Sequence, residues 1–261
     1  MEEIFQHFRP EEKSFIEQII GWKQEVEDRY APKLTDFLDP RQQLIMQSII
    51  GKSSDVLVAE NGRFYEAERK RVIYPDYFQP TDEDFRITIC ELAYSSKFIQ
   101  LKHPDVLGAL LSLGLERSKF GDIRLDHSSV QFAVAEEILE YVRINLDSIG
   151  KAKVQVNELQ QNVPLLPAES MWIEQMLTTS SMRLDTVLAS VYPISRQKAA
   201  MLIQAGKVKV NFAVREQVAF ELHESDLLSI RGYGRLVIKS IEGRTKKEKI
   251  RIKIRRIERK S

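Results

Sequence analysis

The chain has 261 residues, of which 43% are hydrophobic and 30% are charged, and its formal net charge is +1. Its one cysteine, Cys90, excludes an intramolecular disulfide, and no apolar run approaches the ~18 residues that a membrane-spanning helix needs. The acidic start Met1-Glu2-Glu3 lacks the pattern of a secretory signal peptide, so we expect a soluble cytoplasmic protein.

The first segment, residues 1–73, is predicted to be a small domain of helices and a short sheet. A helical pattern covers 11–26, and a second helix is expected to start at a cap formed by Asp39 and to end at Gly51. The pair Asn61-Gly62 lies between apolar runs, which is typical of a hairpin with a type I′ turn.

The second segment, residues 74–160, alternates strand and helix patterns. They fall in the order strand 86–94, helix 106–113, strands 122–125 and 129–134, helix 136–146 and strand 151–156. The order βαββαβ predicts a ferredoxin-like domain, the plan that RNA-recognition domains also use. Residues 161–180 are predicted to form a linker and a short helix over 169–177. The whole chain is therefore expected to be α+β.

The third segment, residues 181–261, is strongly basic. Residues 178–261 contain 19 Lys and Arg against 8 Asp and Glu, a net charge of +11, whereas 1–177 carry −10. Such a division predicts that the basic end binds a polyanion. Ser195 is placed to cap a helix over 196–204, and Gly206 is placed to end it. We expect a helix end and a strand edge that present cations together.

Several short motifs in this segment resemble the RNA-binding module named after ribosomal protein S4. They are Arg183-Leu184-Asp185, Ser195-Arg196, the run from Ala200 to Gly206, Val208-Lys209-Val210-Asn211 and the stretch from Asp226 to Arg235. Phe212 follows Asn211 where glycine is usual, so a turn with positive φ would be strained here. The resemblance implies recognition of RNA shape through phosphates and 2′-hydroxyls.

The resemblance also implies which residues contact RNA. They are Arg183, Ser195, Arg196, Lys198, Lys207, Lys209, Asn211, Arg231 and Arg235. A salt bridge with Asp185 is an alternative role for Arg183, and a solvated face is an alternative for Arg196, Lys207 and Lys209.

Two further basic stretches are candidates for secondary RNA contacts. One is a loop around Gly121 that carries Arg117, Lys119 and Arg124, although it also fits an ordinary solvated loop. The other is a strand with strictly alternating cations, which contributes Lys249, Arg251 and Lys253 and is predicted to pair with 235–241 as a closing hairpin. An edge strand protected by its charges is the alternative for that strand.

The order of the three segments, with the stretch from Leu113 to Ile123, resembles the YlmH family of bacterial proteins. That resemblance implies an N-terminal domain, an RNA-recognition-like middle domain and a C-terminal S4 module. It further implies binding to rRNA and tRNA on the large ribosomal subunit during rescue of stalled nascent chains. A gene-neighbourhood link to bacterial cell division is a weaker implication.

The residues indicate no catalytic site. Four scattered histidines and a lone Cys90, expected to be a buried inert thiol, do not form a metal-binding pattern, and no glycine loop for phosphate is present. Salt bridges along a strand account for the acid–base cluster from Asp122 to His127. We expect a non-enzymatic RNA-binding protein without cofactor or metal. The alternatives are an RNA-modifying enzyme with a catalytic N-terminal half, and a cell-division scaffold that binds protein through the acidic residues 1–177.

Overall fold

The computed structural model describes residues 8–51, 56–73, 79–160, 162–168 and 172–258. The chain divides into two compact units, residues 1–169 and 170–261. Helices and antiparallel sheets occur in both, which confirms the predicted α+β class. The acidic start at residues 1–3 and the linker residues 161 and 169–171 lie outside the described residues.

The helices and strands follow the chain in this order. The first unit contains α1 (Lys13–Arg29), α2 (Pro40–Ile50), β1 (Ala59–Asn61), β2 (Arg71–Ile73), β3 (Ile87–Ala93), α3 (His103–Ser112), β4 (Phe120–Leu125), β5 (Val130–Ala135), α4 (Leu139–Asn145), β6 (Ser148–Ile149), β7 (Ala152–Lys153) and β8 (Gln155–Glu158). The second contains β9 (Ile173–Thr179), α5 (Leu184–Val191), α6 (Arg196–Gln204), β10 (Val208–Val210), β11 (Ala213–Val214), β12 (Leu227–Ile230), β13 (Gly234–Arg244) and β14 (Ile250–Glu258).

The two N-terminal helices form as their residues predict. The Asp39 carboxylate accepts hydrogen bonds from the backbone N–H groups of Arg41 and Gln42, both at 2.9 Å, at the start of α2. The Gln42 side chain accepts in turn from the Asp39 N–H, which completes a reciprocal cap. Gly51 follows the last turn with φ of 64°, a conformation that costs glycine little.

The two strands of the hairpin predicted around Asn61-Gly62 are present, but the predicted two-residue turn is wrong. Strands β1 and β2 do pair, with Ala59 opposite Ile73, but the connection runs from 62 to 70. Gly62 does not take the positive φ of a type I′ turn; a Cβ there would clash with Ala67 and with the carbonyl of Arg69. Glycine at this position therefore allows a close approach within the loop.

The middle of the chain has the predicted βαββαβ topology. Its four strands are ordered β4-β5-β3-β8 and all are antiparallel. Helices α3 and α4 pack on one face through side chains such as Leu110 and Val142. The strand expected at 151–156 is divided, because β6 and β7 form a small separate hairpin before β8.

The other face of this sheet is covered by loops and the two short strands of the N-terminal segment. Phe37, Phe64 and Ile73 share a buried cluster with Ile89 and Ala133 of the sheet. This is the face on which RNA-recognition domains stack bases. Here it is part of the hydrophobic core, so it is not available to RNA.

Ion pairs extend the same contact. Arg71 donates to both oxygens of Glu137, at 3.0 and 3.2 Å, and Lys119 lies 2.7 Å from Asp36. The Asp122 carboxylate accepts from the backbone N–H of Arg69 at 3.0 Å. The N-terminal segment and the middle domain are therefore packed as one body.

The second unit is a six-stranded antiparallel sheet, ordered β11-β10-β12-β13-β14-β9, with both helices on one face. The alternating residues Ile252 and Ile254 of β14 enter its core beside Leu188 and Ile203. Strand β14 lies between β13 and β9, so the alternative of an edge strand is wrong. Its hairpin with β13 is confirmed and closes through residues 245–249.

The prediction of a short helix over 169–177 is also wrong for the residues that the structure describes there. Residues 173–179 form strand β9, whose Thr179 pairs with Ile250 and whose Ile173 pairs with Arg256. Their pairing partners lie more than 70 positions further along the chain. A long-range contact of this kind overrides a weak local helical pattern.

The packing of Phe37 on the middle sheet can be tested through Gly121. A Cβ added to Gly121 would lie 2.7 Å from a ring carbon of Phe37 and 2.8 Å from the Cβ of Ala133. We predict that Gly121→Ala lowers the free energy of unfolding by about 1–3 kcal/mol, measured by urea denaturation. The matched control is Gly108→Ala in α3, where an added Cβ meets nothing within 4 Å. Because alanine favours the helix over glycine, this substitution should raise the free energy of unfolding by about 0.5–1 kcal/mol. Equal effects of the two substitutions would contradict this account of the packing.

Candidate nucleic-acid interface

A carboxylate shared by two arginines lies at the start of helices α5 and α6. Asp185, in the first turn of α5, is 4% exposed. Arg183 donates to it through Nε at 3.0 Å, and Arg196, from the first turn of α6, donates through Nη2 at 2.7 Å. The side chains of Arg183 and Arg196 remain 44% and 57% exposed. Both guanidinium groups are thus held in place and still accessible.

The protonation state of Asp185 follows from this arrangement. Burial by itself would raise the pKa of Asp185, but the hydrogen bonds and charges of Arg183 and Arg196 outweigh it and lower the pKa. The same hydrogen bond raises the pKa of Arg183. Asp185 therefore carries a buried negative charge at neutral pH, and Arg183 and Arg196 carry two positive charges at the surface.

The helix ends add to the positive potential of this surface. The Ser195 hydroxyl caps α6 by accepting a hydrogen bond from the backbone N–H of Lys198 at 3.1 Å. Ser195 and Lys198 are both exposed. The N-terminal end of a helix carries partial positive charge and free N–H groups, which favour an anion. We refer to Arg183, Ser195, Arg196 and Lys198 as the helix-start cluster.

Two other predicted cations lie at the opposite end of α6. Lys207 follows the last turn of α6, and its carbonyl accepts from the N–H of Arg231 at 2.9 Å. Helix α6 has nine residues, so about 13 Å of helix separates Lys207 from the helix-start cluster. The expectation that Arg196 and Lys207 lie together is therefore wrong. They mark two ends of one longer surface.

Lys209 and Arg235 lie on the sheet face that points away from the helices. Lys209 pairs with Ser229, which pairs with Arg235 on the next strand. Arg235 lies over the ring of Trp172 at 5.7 Å, and Arg255 lies over the same ring at 5.6 Å. Arg235 is therefore partly occupied by cation–π contacts, whereas Lys209 is exposed.

Asn211 has a structural role. Its amide nitrogen donates to Asp226 at 2.8 Å, and its amide oxygen accepts from the N–H of Leu227 at 2.9 Å. These bonds hold the turn between β10 and β11, where Asn211 and Phe212 have φ of 48° and 67°. The strained turn suggested by Phe212 is thus present, and we no longer count Asn211 as an RNA contact.

The basic stretch around Gly121, expected as a loop, lies partly in β4 and has structural contacts. Arg124 is 4% exposed, lies 3.0 Å from Asp122 and stands over the ring of Phe64. Arg117 donates to two backbone carbonyls, and burial lowers its pKa to about 10. Lys119 is paired with Asp36, as described above. Arg117, Lys119 and Arg124 are therefore not available as RNA contacts. The salt bridge expected between Asp122 and Arg124 is confirmed, whereas the contacts with Asp36 and Phe64 come from residues far away in the chain.

The C-terminal strand keeps part of its predicted charge at the surface. Lys249 and Arg251 are exposed, whereas Lys253 lies 3.0 Å from Glu174 of β9. The pKa of Glu174 is lowered by its hydrogen bond with Lys253, so the pair is charged at neutral pH. Sequence reasoning missed Trp172 and Arg255, because the ring stack depends on the pairing of β9 with β14.

The described residues offer little for catalysis. Among them, no three His, Cys, Asp or Glu side chains are grouped so that they could hold a metal ion. Cys90 is buried, and burial raises its pKa to about 12, which makes it an inert thiol. No helix in the described ranges has the length and apolar character needed to cross a membrane.

Two helices on one face of an antiparallel sheet, with arginines at their starts, define an RNA-binding protein of the S4 class. The S4 domain model matches residues 182–228, the model described as "YlmH, N-terminal" matches 11–77, and that for the RNA-binding domain in YlmH matches 80–162. The chain is 42% identical over 257 residues to the ribosome-associated protein quality control protein P2 of Bacillus subtilis, covering 98% of this chain and 99% of that protein. The chain belongs to the YlmH family.

A solved structure is also similar to part of the chain. The cell division protein ylmH from Streptococcus pneumoniae is 36% identical, with a TM-score of 0.51. The likeness covers 59% of this chain and 94% of that one.

The role of Asp185 generates a stability prediction. Asp185→Asn should lower the free energy of unfolding at pH 7 by about 1–2 kcal/mol, because the hydrogen bonds from both guanidinium groups lose their anion. Since the folded pKa of Asp185 is lowered from 3.8, its contribution is complete above 3.8 and is lost as the pH falls through the folded value. Urea unfolding of wild type and variant should therefore differ at neutral pH and converge in acid.

Glu216→Gln is the matched control, because it removes one exposed acidic charge from the same unit. Its difference from wild type should be small at every pH. If Asp185→Asn behaved like Glu216→Gln, the carboxylate would have no anchoring role.

Proposed function

We propose that this protein docks on structured RNA of the large ribosomal subunit and acts without catalysing a reaction. The observation that carries the proposal is the buried Asp185, which holds Arg183 and Arg196 at the surface. A fixed guanidinium loses little conformational freedom when it binds a phosphate. The side chains are therefore arranged for the RNA backbone before RNA arrives.

The spacing of the cations favours recognition of shape. The helix-start cluster and the pair Lys207 and Arg231 are separated by about the length of α6, or about 13 Å. Lys209 adds a cation on the sheet face that points away from the helices. A surface of this length spans several phosphates of an RNA strand and carries few groups that could read base edges. We expect contacts with rRNA, and with tRNA bound next to it.

The cellular process in which this chain acts is proposed from its similarity to the Bacillus subtilis protein. The Bacillus subtilis relative is called a ribosome-associated quality control protein, and it matches nearly the whole chain. We infer that this chain acts in the same process, the rescue of stalled nascent chains in the cytoplasm. The buried sheet face of the middle domain indicates that this domain does not bind RNA by base stacking on its sheet.

A scaffold in cell division is the second candidate function. The name of the Streptococcus pneumoniae structure favours it, and the acidic part of the chain, residues 1–177, would bind the protein partner. The two candidates differ in where the essential residues lie, since RNA docking requires the basic second unit.

Reversing the charge of the basic residues distinguishes RNA docking from the scaffold function. We predict that the combined variant Arg196→Glu, Lys207→Glu and Lys209→Glu lowers the affinity for purified large ribosomal subunits at least about tenfold and reduces its salt dependence. Sedimentation with the subunits at several salt concentrations measures both quantities. The control is Lys97→Glu, Lys151→Glu and Lys153→Glu, which makes the same change of net charge on exposed lysines of the first unit.

Binding that survives the first variant would refute RNA docking by this surface. Equal loss in both variants would show that net charge, and not the position of the cations, determines the affinity.

The C-terminal strand is proposed to widen the RNA-binding surface through Arg251, with a smaller share from Lys253 because Glu174 pairs with it. We predict that Arg251→Gln with Lys253→Gln weakens binding about two- to fivefold and lowers the salt slope by about one to two. Deletion of the strand is unsuitable as a test, because Ile252 and Ile254 belong to the core. Lys246→Gln with Lys247→Gln, in the adjoining turn, is the control and should leave the slope nearly unchanged. Identical slopes in all three proteins would remove β14 from the binding surface.

A further inference from the structure

The sheet of the second unit has two faces, and only one of them carries the helices. Alternate residues such as Val208, Leu236 and Ile254 point toward α5 and α6 and form the core. The residues between them point the other way, because successive side chains of a strand alternate between the two faces. We call the side of the sheet that points away from the helices the outer face.

Cations on three strands meet on the outer face. Lys209 of β10 lies opposite Ser229 of β12, which lies opposite Arg235 of β13. Arg255 of β14 lies opposite Val237, two positions further along β13. Because neighbouring strands are about 4.8 Å apart, the cations extend over about 14 Å from β10 to β14.

A carboxylate of β9 organises the part of the outer face next to β14. Glu174 lies 3.0 Å from the ammonium of Lys253 and 3.8 Å from Nε of Arg255. The hydrogen bond from Lys253 lowers the pKa of Glu174 most, and the charges of Arg255 and Lys239 act in the same direction. Lys239 therefore lies near the same carboxylate, on the outer face.

The outer face keeps a surplus of positive charge. Its six cations are Lys209, Arg235, Lys239, Arg251, Lys253 and Arg255. On the described strands of this face, the carboxylates are those of Glu174 and Glu242, which accepts from the Ser240 hydroxyl opposite Lys253. Two carboxylates cannot neutralise six cations, and Lys209, Lys239 and Arg251 are exposed to solvent.

An aromatic ring adds to the chemistry of the outer face. Arg255 lies over the half-buried Trp172 ring at 5.6 Å, and Glu174 lies beside the same guanidinium. Arg255 is thus held in a defined position, which lowers the entropic cost of binding a phosphate. Cations combined with aromatic rings are typical of surfaces that bind RNA through its backbone, with little dependence on base sequence.

We propose that the outer face binds the phosphate backbone of a second RNA segment, separate from the segment bound at the helix-start cluster. The proposal rests on the proposed function and extends it. The helix-start cluster belongs to α5 and α6, which cover the opposite face of the sheet. A helix layer about 10 Å thick and the sheet itself lie between the two sets of cations. Arg251 and Lys253 therefore belong to the second RNA-binding surface, and the unit joins two RNA segments.

The key test asks whether one molecule of the full chain joins two RNAs. An RNA duplex of about 12 base pairs, which offers phosphates to either surface, is immobilised at low density and saturated with protein. A second, fluorescent duplex of the same length is then added. Wild type should capture it, whereas the combined variant Lys209→Glu, Lys239→Glu and Arg251→Glu should capture at least about fivefold less. This outer-face variant should still bind the first duplex through the helix-start cluster.

Three further variants make the capture specific. Arg196→Gln with Lys198→Glu weakens the helix-start cluster, so it should lower capture to a similar extent while the outer face still binds one duplex. Replacing the three outer-face cations by glutamine should lower capture less but in the same direction, which guards against misfolding caused by charge reversal. The triple lysine variant of the first unit, described above as a control, should capture like wild type.

Tryptophan fluorescence reports on the outer face directly. Trp22→Phe leaves Trp172 as the one tryptophan of the chain. Addition of the duplex should quench the fluorescence of Trp172, because bound RNA changes the surroundings of the ring. The quenching should persist when the helix-start cluster is weakened and should be lost in the outer-face variant.

Several outcomes would overturn the proposal. Capture retained by the outer-face variant would place the second RNA elsewhere, and a dimeric mass in light scattering would mean that two copies supply the two sites. If the outer-face variant lost affinity for intact large subunits but not for their protein-free rRNA, the partner of the outer face would be an acidic protein.

The same measurements separate this proposal from the proposed function. If wild type binds purified large ribosomal subunits but captures no second duplex, the second surface is refuted and RNA docking stands. If wild type does not bind the subunits, both are refuted.

Discussion

The second unit depends on one buried carboxylate. Asp185 would be costly to bury alone, and it is stabilised by Arg183 and Arg196, which approach from the two helix starts. The same contacts that offset its burial also fix two guanidinium groups at the surface. Stability and binding therefore share one interaction, so a substitution of Asp185 would affect both. The exposed parts of both arginines are left for a ligand.

The first unit shows how packing can remove a function that a fold suggests. A βαββαβ sheet in other proteins exposes a face on which bases stack. In this protein Phe37 and Phe64 cover that face, and Gly121 permits the close approach of the Phe37 ring. The fold alone therefore does not assign RNA binding to the middle domain, and the basic second unit is the better candidate.

The sequence by itself determined the features that depend on neighbouring residues. Helix caps at Asp39 and Ser195, the alternation of Ile252 and Ile254 with cations, and the topology of the middle domain could all be predicted, because caps and periodicity are local. The motif from Arg183 to Asp185 placed the candidate site in the correct unit.

Only the tertiary structure decided which cations are free to bind. Arg124 and Lys119 look like surface residues in the sequence, but the distant Asp36 pairs with Lys119 and the distant ring of Phe64 covers Arg124. Strand β9 exists because β14 pairs with it, and the two ends of α6 separate Arg196 from Lys207. These outcomes depend on contacts between residues far apart in the chain, which local patterns do not encode.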